Sequence, residues 1–251
     1  MPNTKITKQK VKDHLSYSKR LYIFGMIAFV GLASLLFTVT RYQSPNDLSV
    51  DIALVDSYAD ISKVDDDIDT LLSMTQEYDP ALEKVAFMSI AYEGDSSTED
   101  GYYGAQQYMV QLYAGDNDIF IQNELLTDSI IAEGAALALE ELEGFEDFVA
   151  AHPDVEILWA HEPSAATETD EDEGEEAEAV DTPLHAYAID MSSLLGFNER
   201  GAFDIREKYA CILISSENPE TSLYALDKMF TVFAATPVQE TEEAIEEEAA
   251  Q

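Results

Sequence analysis

The chain reads as an α/β protein, an N-terminal transmembrane helix followed by one mostly parallel sheet covered by helices. Three observations carry that expectation. Residues 21–40 read LYIFGMIAFVGLASLLFTVT, twenty uncharged residues between Arg20 and Arg41. Beyond them, segments with strand and helix periodicity alternate as strand, helix, strand, helix, strand. The connections between those strands are too long for hairpins, as parallel pairing through helical crossovers requires.

At about 1.5 Å per residue, twenty helical residues span about 30 Å, the thickness of a bilayer's hydrocarbon core. A cleaved signal peptide is the competing reading, but it has a shorter apolar core and a small-x-small site after it. Arg41-Tyr-Gln-Ser follows here, and no cysteine lies nearby to carry a lipid. Retention as an anchor is therefore expected. Lys5, Lys8, Lys10, Lys12, Lys19 and Arg20 precede the span and Arg41 alone follows it closely. The positive-inside bias then places residues 1–20 in the cytoplasm and everything after the span outside the cell membrane.

The outer domain is expected over 46–235. Residues 48–56 alternate Leu48, Val50, Ile52 and Leu54 with mostly small or polar neighbours, a period-two strand. Residues 60–78 space Ile61, Val64, Ile68, Leu71, Leu72 and Met74 as a helix, with the DDDID acids mostly on the other face. A strand over 85–92, a helix over 102–113 stopped by Gly115, and a strand over 118–121 follow. The second half is less regular: helical stretches over 125–142 and 145–151, a strand over 155–160, strands over 185–190 and 208–215, and a helix over 219–234. Residues 163–183 carry many acids and almost nothing apolar, which predicts a disordered loop. The acidic tail over 236–251 is read the same way.

Charge narrows the function classes. Beyond Tyr42 six basic residues face fifty acidic ones, a net of −44. Such a surface repels nucleic acid and anionic headgroups. Cys211 is the single cysteine, so no intramolecular disulfide and no cysteine-based zinc site is available, and its apolar run predicts a small buried hydrophobe. His152, His161 and His185 lack zinc spacing, and neither Asp65-Asp-Asp-Ile-Asp69 nor Asp116-Asn-Asp118 follows the EF-hand pattern. Nucleophile-elbow, phosphate-loop and HExxH motifs are absent from the sequence. No cofactor is expected.

Three passages carry a family resemblance: Tyr113-Ala-Gly-Asp-Asn-Asp-Ile-Phe-Ile121, Glu133-Gly-Ala-Ala-Leu-Ala-Leu-Glu-Glu-Leu142, and the stretch from Tyr209 through Asn218-Pro-Glu to Phe230. Their order resembles that of bacterial extracellular solute-binding proteins of the type II periplasmic-binding-protein-like fold, and most resembles small, degenerate, membrane-anchored relatives. Ala138 stands where that family usually has proline. The resemblance implies one lobe of the two-lobed fold, because the outer region is too short for a complete second lobe, and it carries over no ligand residue. In the third passage Asn218 is placed to cap the helix that Pro219 begins.

In an open parallel sheet ligands bind at the carboxyl ends of the strands. Asp56, Ser57, Tyr58, Tyr92, Glu93 and Gln122 are expected on that rim, with Trp159 near it; Asp56, Tyr58, Tyr92, Gln122 and Trp159 are the candidate ligand contacts. These rings stack on sugars and peptides but also finish cores, and the core reading is preferred. The expected function is a non-catalytic, membrane-tethered extracytoplasmic binding domain for a small solute. A structural module that contacts another envelope protein is the rival, and an enzyme comes third.

Overall fold

The computed structural model describes residues 8–40, 42, 44–162 and 183–235. The acidic loop expected over 163–183 falls, but for Pro183, outside the described residues; the tail over 236–251 and Lys5 lie wholly outside them. The chain forms two compact units, Met1–Gln43 and Ser44–Gln251.

The first unit is one helix, α1 (Lys8–Thr40), which extends the expected span back through the basic segment. Its stretch Tyr22–Thr40, 19 residues, is long and apolar enough to cross a membrane. Phe24, Met26, Phe29 and Phe37 are exposed on it. Its hydroxyls bond inward, Thr38 Oγ1 to Ser34 O at 3.0 Å and Thr40 Oγ1 to Leu36 O at 2.6 Å. Such back-bonding satisfies hydroxyls that an apolar environment would leave without a partner.

The second unit holds β1 (Ser49–Asp56), α2 (Asp65–Thr75), β2 (Lys84–Ala91), α3 (Glu99–Ala114), β3 (Ile119–Asn123), α4 (Glu124–Ala132) and α5 (Phe145–Ala151). It continues with β4 (Ile157–His161), β5 (Leu184–Asp190), α6 (Gly196–Arg200), β6 (Lys208–Ile212) and α7 (Pro219–Val232). The six strands form one sheet in the order β2-β1-β3-β6-β5-β4. Only β1–β2 and β1–β3 pair in parallel; β3–β6, β6–β5 and β5–β4 are antiparallel. The sheet is therefore mixed, which corrects the mostly parallel expectation.

The reason lies in the connection from β5 to β6. Its length suggests a crossover, yet it returns to the same end of the sheet, pairing Asp190 with Tyr209. Its residues go into the core instead: Met191, Leu194, Phe197, Ala202, Phe203 and Ile205 are all buried. Phe197 stacks on Phe233 with ring centroids 4.1 Å apart, and Phe87 meets both edge-on.

Two apolar clusters lie on opposite faces of the sheet. Val50, Ile52 and Leu54 of β1 join Leu71 of α2, Phe148 of α5, Phe197 of α6 and Leu226 of α7. Ala53 and Val55 join Tyr108 and Leu112 of α3 and Ile130 of α4. Successive strand residues point to opposite faces, so both faces of β1 are covered. With α2 and α3 on opposite faces, the β1–β2 and β2–β3 crossovers run in opposite directions and so share one hand, as the rule for parallel strands requires.

Local signals explain most boundaries. Thr98 caps α3, its side chain accepting from Gly101 N at 3.0 Å, and Gly115 ends the helix at φ 73°. The expected helix over 125–142 stops early at Ala132. Gly134 takes φ 67°, and Gly134 N and Ala135 N bond back to Ile131 O and Ile130 O, closing the helix end. Gly104 of α3 lies so close to β2 that a Cβ there would meet Ala91 O at 2.1 Å. Asn218 does not cap α7; its Nδ2 donates to Asn46 O at 2.9 Å and Ser49 O at 3.3 Å, tying the start of α7 to the entry of β1.

All six basic residues beyond Tyr42 are paired with aspartates: Lys63 with Asp60, Lys84 with Asp51, Arg200 with Asp67, Arg206 with Asp204, Lys208 with Asp56 and Lys228 with Asp227. Asp118 is a buried acid without such a partner among the described residues. Its Oδ2 accepts from Asp51 N at 2.9 Å and its Oδ1 from Ser216 Oγ at 2.6 Å. Burial, with Asp51 and Glu217 nearby, outweighs those bonds and raises its carboxyl to about 6.

A carboxyl raised on folding binds its proton more tightly in the folded state than in the unfolded chain. Its contribution to stability is thus full below about pH 4 and lost as pH rises through 6. Relative to Asp118→Asn, the native protein should gain stability as pH falls from 7 to 4, by at most on the order of 3 kcal/mol. Denaturant unfolding of both proteins across that range checks it; a constant difference would refute the assignment.

Candidate functional site

The expected rim is present but is not one site. Alternation along β1 puts Asp56 on the face of Leu54, with α2, α5 and α7. There its Oδ2 meets Lys208 Nζ at 2.9 Å, both side chains 11% exposed. Its Oδ1 accepts from Ser57 N at 2.6 Å. Gln122 lies on the other face, beside Phe120 and Tyr108, and is fully buried. Tyr108 donates its hydroxyl to Gln122 Oε1 at 3.1 Å, and Tyr92 rests on the Tyr108 ring, centroids 5.4 Å apart. Burial, chiefly, holds the Tyr108 phenol well above its usual range, so it stays a neutral donor. Gln122 Nε2 is buried with no partner among the described residues.

The other candidates stand apart. Tyr58 is exposed, its hydroxyl 3.4 Å from Asp60 Oδ2. Trp159 is half-exposed on the edge strand β4, separated from β3 by β6 and β5. The structure thus brings Tyr92 and Gln122 together through Tyr108, and leaves Asp56, Tyr58 and Trp159 in separate surroundings. Cys211 is buried as expected, its thiol pushed up to about 12 by desolvation, which keeps it unreactive.

An open cavity of about 380 Å³ lies elsewhere, on the face of α2, α5 and α7. The turn after α2 contributes Tyr78; the approach to α5 and α5 itself give Glu143, Gly144, Asp147, Phe148 and Ala151; α7 gives Glu220, Leu223, Tyr224 and Asp227. Because α2 leads from the end of β1 back to the start of β2, Tyr78 sits at the pole of the sheet opposite the expected rim. Phe148 and Leu223 are buried and form an apolar floor. Tyr78 stacks on Tyr224 with centroids 4.9 Å apart.

Asp227 anchors the wall. His152 Nε2 lies 2.7 Å from its Oδ1 and Lys228 Nζ 2.8 Å from its Oδ2. Burial alone would raise its carboxyl, but the bonds from Lys228 and His152 bring it below the usual range. Lys228 Nζ also sits 4.3 Å from the Tyr224 ring centroid. Burial first, then the negative charges of Glu143, Glu220 and Asp79, raise the Tyr78 phenol. Among the described residues no group of three or more His, Cys, Asp or Glu is gathered closely enough to hold a metal ion.

Sequence reasoning missed this cavity because its walls come from three stretches far apart in the chain. One signal was present: Glu220, Tyr224 and Asp227 fall at i, i+4 and i+7, a single stripe of α7 bearing an aromatic between two acids.

Lys208→Met would strand the Asp56 carboxylate in a buried position and should cost about 3–5 kcal/mol, most of it recovered by adding Asp56→Asn. Denaturant unfolding of the two variants checks this; a loss under 1 kcal/mol for Lys208→Met would show the pair to be solvated. No family model, curated protein or solved structure matches the chain.

Proposed function

We propose that this chain is a non-catalytic binding domain tethered to the cell membrane by α1 and held on its outer side, with the cavity between α5, α7 and the turn after α2 as its site. The observation that carries the reading is the cavity itself. At about 380 Å³ it falls within the range of small-ligand sites, and it combines an apolar floor with a few polar groups. The sheet rim, by contrast, is filled by its own side chains. The strand–helix alternation of the first half supports a solute-binding-like lobe, and the basic residues before Tyr22 support an inside N-terminus.

A second reading, docking to an envelope protein, is favoured by α3. Its outer side exposes Tyr102, Tyr103, Val110 and Tyr113, all more than half accessible.

Two measurements test the proposal. Protease added to intact cells expressing the chain should remove residues beyond 43 while sparing the N-terminal tail; full protection of the domain would reverse the orientation. Thermal unfolding of the full chain in nanodiscs should respond to one class in a panel of sugars, amino acids, amines and short peptides. A ligand at a hundred times its Kd stabilises by about 2.7 kcal/mol, a shift of about 5–10 °C for a domain of this size. A panel without a shift, alongside capture of a protein partner that is lost on Tyr103→Glu, would favour the docking reading.

A further inference from the structure

We infer that the cavity between α5, α7 and the turn after α2 takes an organic cation: an ammonium or guanidinium group on an apolar stem. This rests on reading that cavity as the binding site. Glu143, Asp147 and Glu220 line it, and none of the three has an ion-pair partner among the described residues. The fourth acid, Asp227, is already engaged by Lys228 and His152. The wall therefore presents uncompensated negative charge above a floor of Phe148 and Leu223.

Three further features select the ligand class. All six basic residues of this unit are already held by aspartates, so the unpaired charges that an anionic ligand would meet in the lining are all negative. The carboxylates are too dispersed for a metal ion, which needs six or more oxygens converging at about 2.3–2.6 Å if calcium. A guanidinium instead spreads five N–H donors toward separate acceptors. Finally, the chain already places a cation here in the same way, with Lys228 Nζ over the Tyr224 ring and bonded to a carboxylate. A ligand of this kind would lay its stem on the Phe148 and Leu223 floor and its charged end among Glu143, Asp147 and Glu220.

The same chemistry arises in a free amine or in a basic side chain of a peptide, and two probes separate them: agmatine, and acetyl-Gly-Arg-Gly-amide. Each is titrated calorimetrically into the full chain in zwitterionic nanodiscs at 0.15 M salt, beside n-butylurea as a neutral control and CaCl₂. Saturable binding of agmatine or the peptide, absent for n-butylurea, is expected; the tighter of the two names the source. Glu143→Gln with Glu220→Gln should weaken it about tenfold or more, the loss of roughly one charge-assisted bond. Ala151→Trp, at an exposed lining position, should abolish it, whereas Glu99→Gln on α3 should leave it unchanged. Unfolding midpoints of the variants show that each is folded.

Cation binding that Ala151→Trp and the double variant leave intact would overturn the inference, since it would come from diffuse surface charge. Binding of n-butylurea that Ala151→Trp abolishes would overturn the cation and keep the cavity as a site. Binding of none of the probes would overturn the cation, and if the wider ligand panel were also silent the binding-site reading would fall with it.

Discussion

An excess of acid is the constraint under which this domain folds. Fifty acids and six basic residues share the chain beyond Tyr42, so attraction between side chains is scarce and repulsion is general. Each of the six cations is placed against an aspartate, and three of the pairs join separate elements. Lys84 and Asp51 link β2 to β1, Arg200 and Asp67 link α6 to α2, and Lys208 and Asp56 bridge the ends of β6 and β1. The exposed pairs contribute little individually in water. The Lys208–Asp56 pair is different, because burial raises the cost of leaving either partner alone. Apolar burial, and not charge, supplies the cohesion: Phe87, Phe197 and Phe233 meet at the centre of one face, and Tyr108 meets Phe120 on the other.

How far the fold was legible depended on how local its causes were. The strands starting near Val50 and Val85 and the helix Phe145–Ala151 declared themselves through hydrophobic spacing, and Gly115 marked the end of α3 through its need for a left-handed backbone. Strand direction was less accessible. Nothing in the residues 191–207 distinguishes a connection that crosses the sheet from one that folds into its core, because both are long and apolar. The helix expected through Leu142 failed at Gly134, where the chain turns so that Leu137 N can bond to Ile212 O, a contact distant in sequence.

The site was less legible still. The rim expectation rested on a parallel sheet, whose strand ends leave a crevice. Here the antiparallel β6 enters beside β3 and brings Lys208 to that rim, so the crevice is closed by an ion pair that no local pattern announces. Gln122 and Tyr92 pack around Tyr108, whereas Tyr58 and Trp159 stay exposed. The cavity at the opposite pole depends on how α2, α5 and α7 pack, and packing of that kind is decided by the whole core.

The second unit is entered at its interior: the short turn at Asn46–Leu48 leads directly into β1. That strand is interior, hydrogen-bonded in parallel to β2 along its full length and to β3 along its middle. Tension along the chain therefore pulls lengthwise on β1 and loads both ladders in shear at once, where pulling on an edge hairpin would open its bonds one at a time. Asn218 adds a lateral strap across the point of entry through Asn46 and Ser49. Any pull applied at the N-terminal end of β1 is thus shared between two ladders and the Asn218 strap.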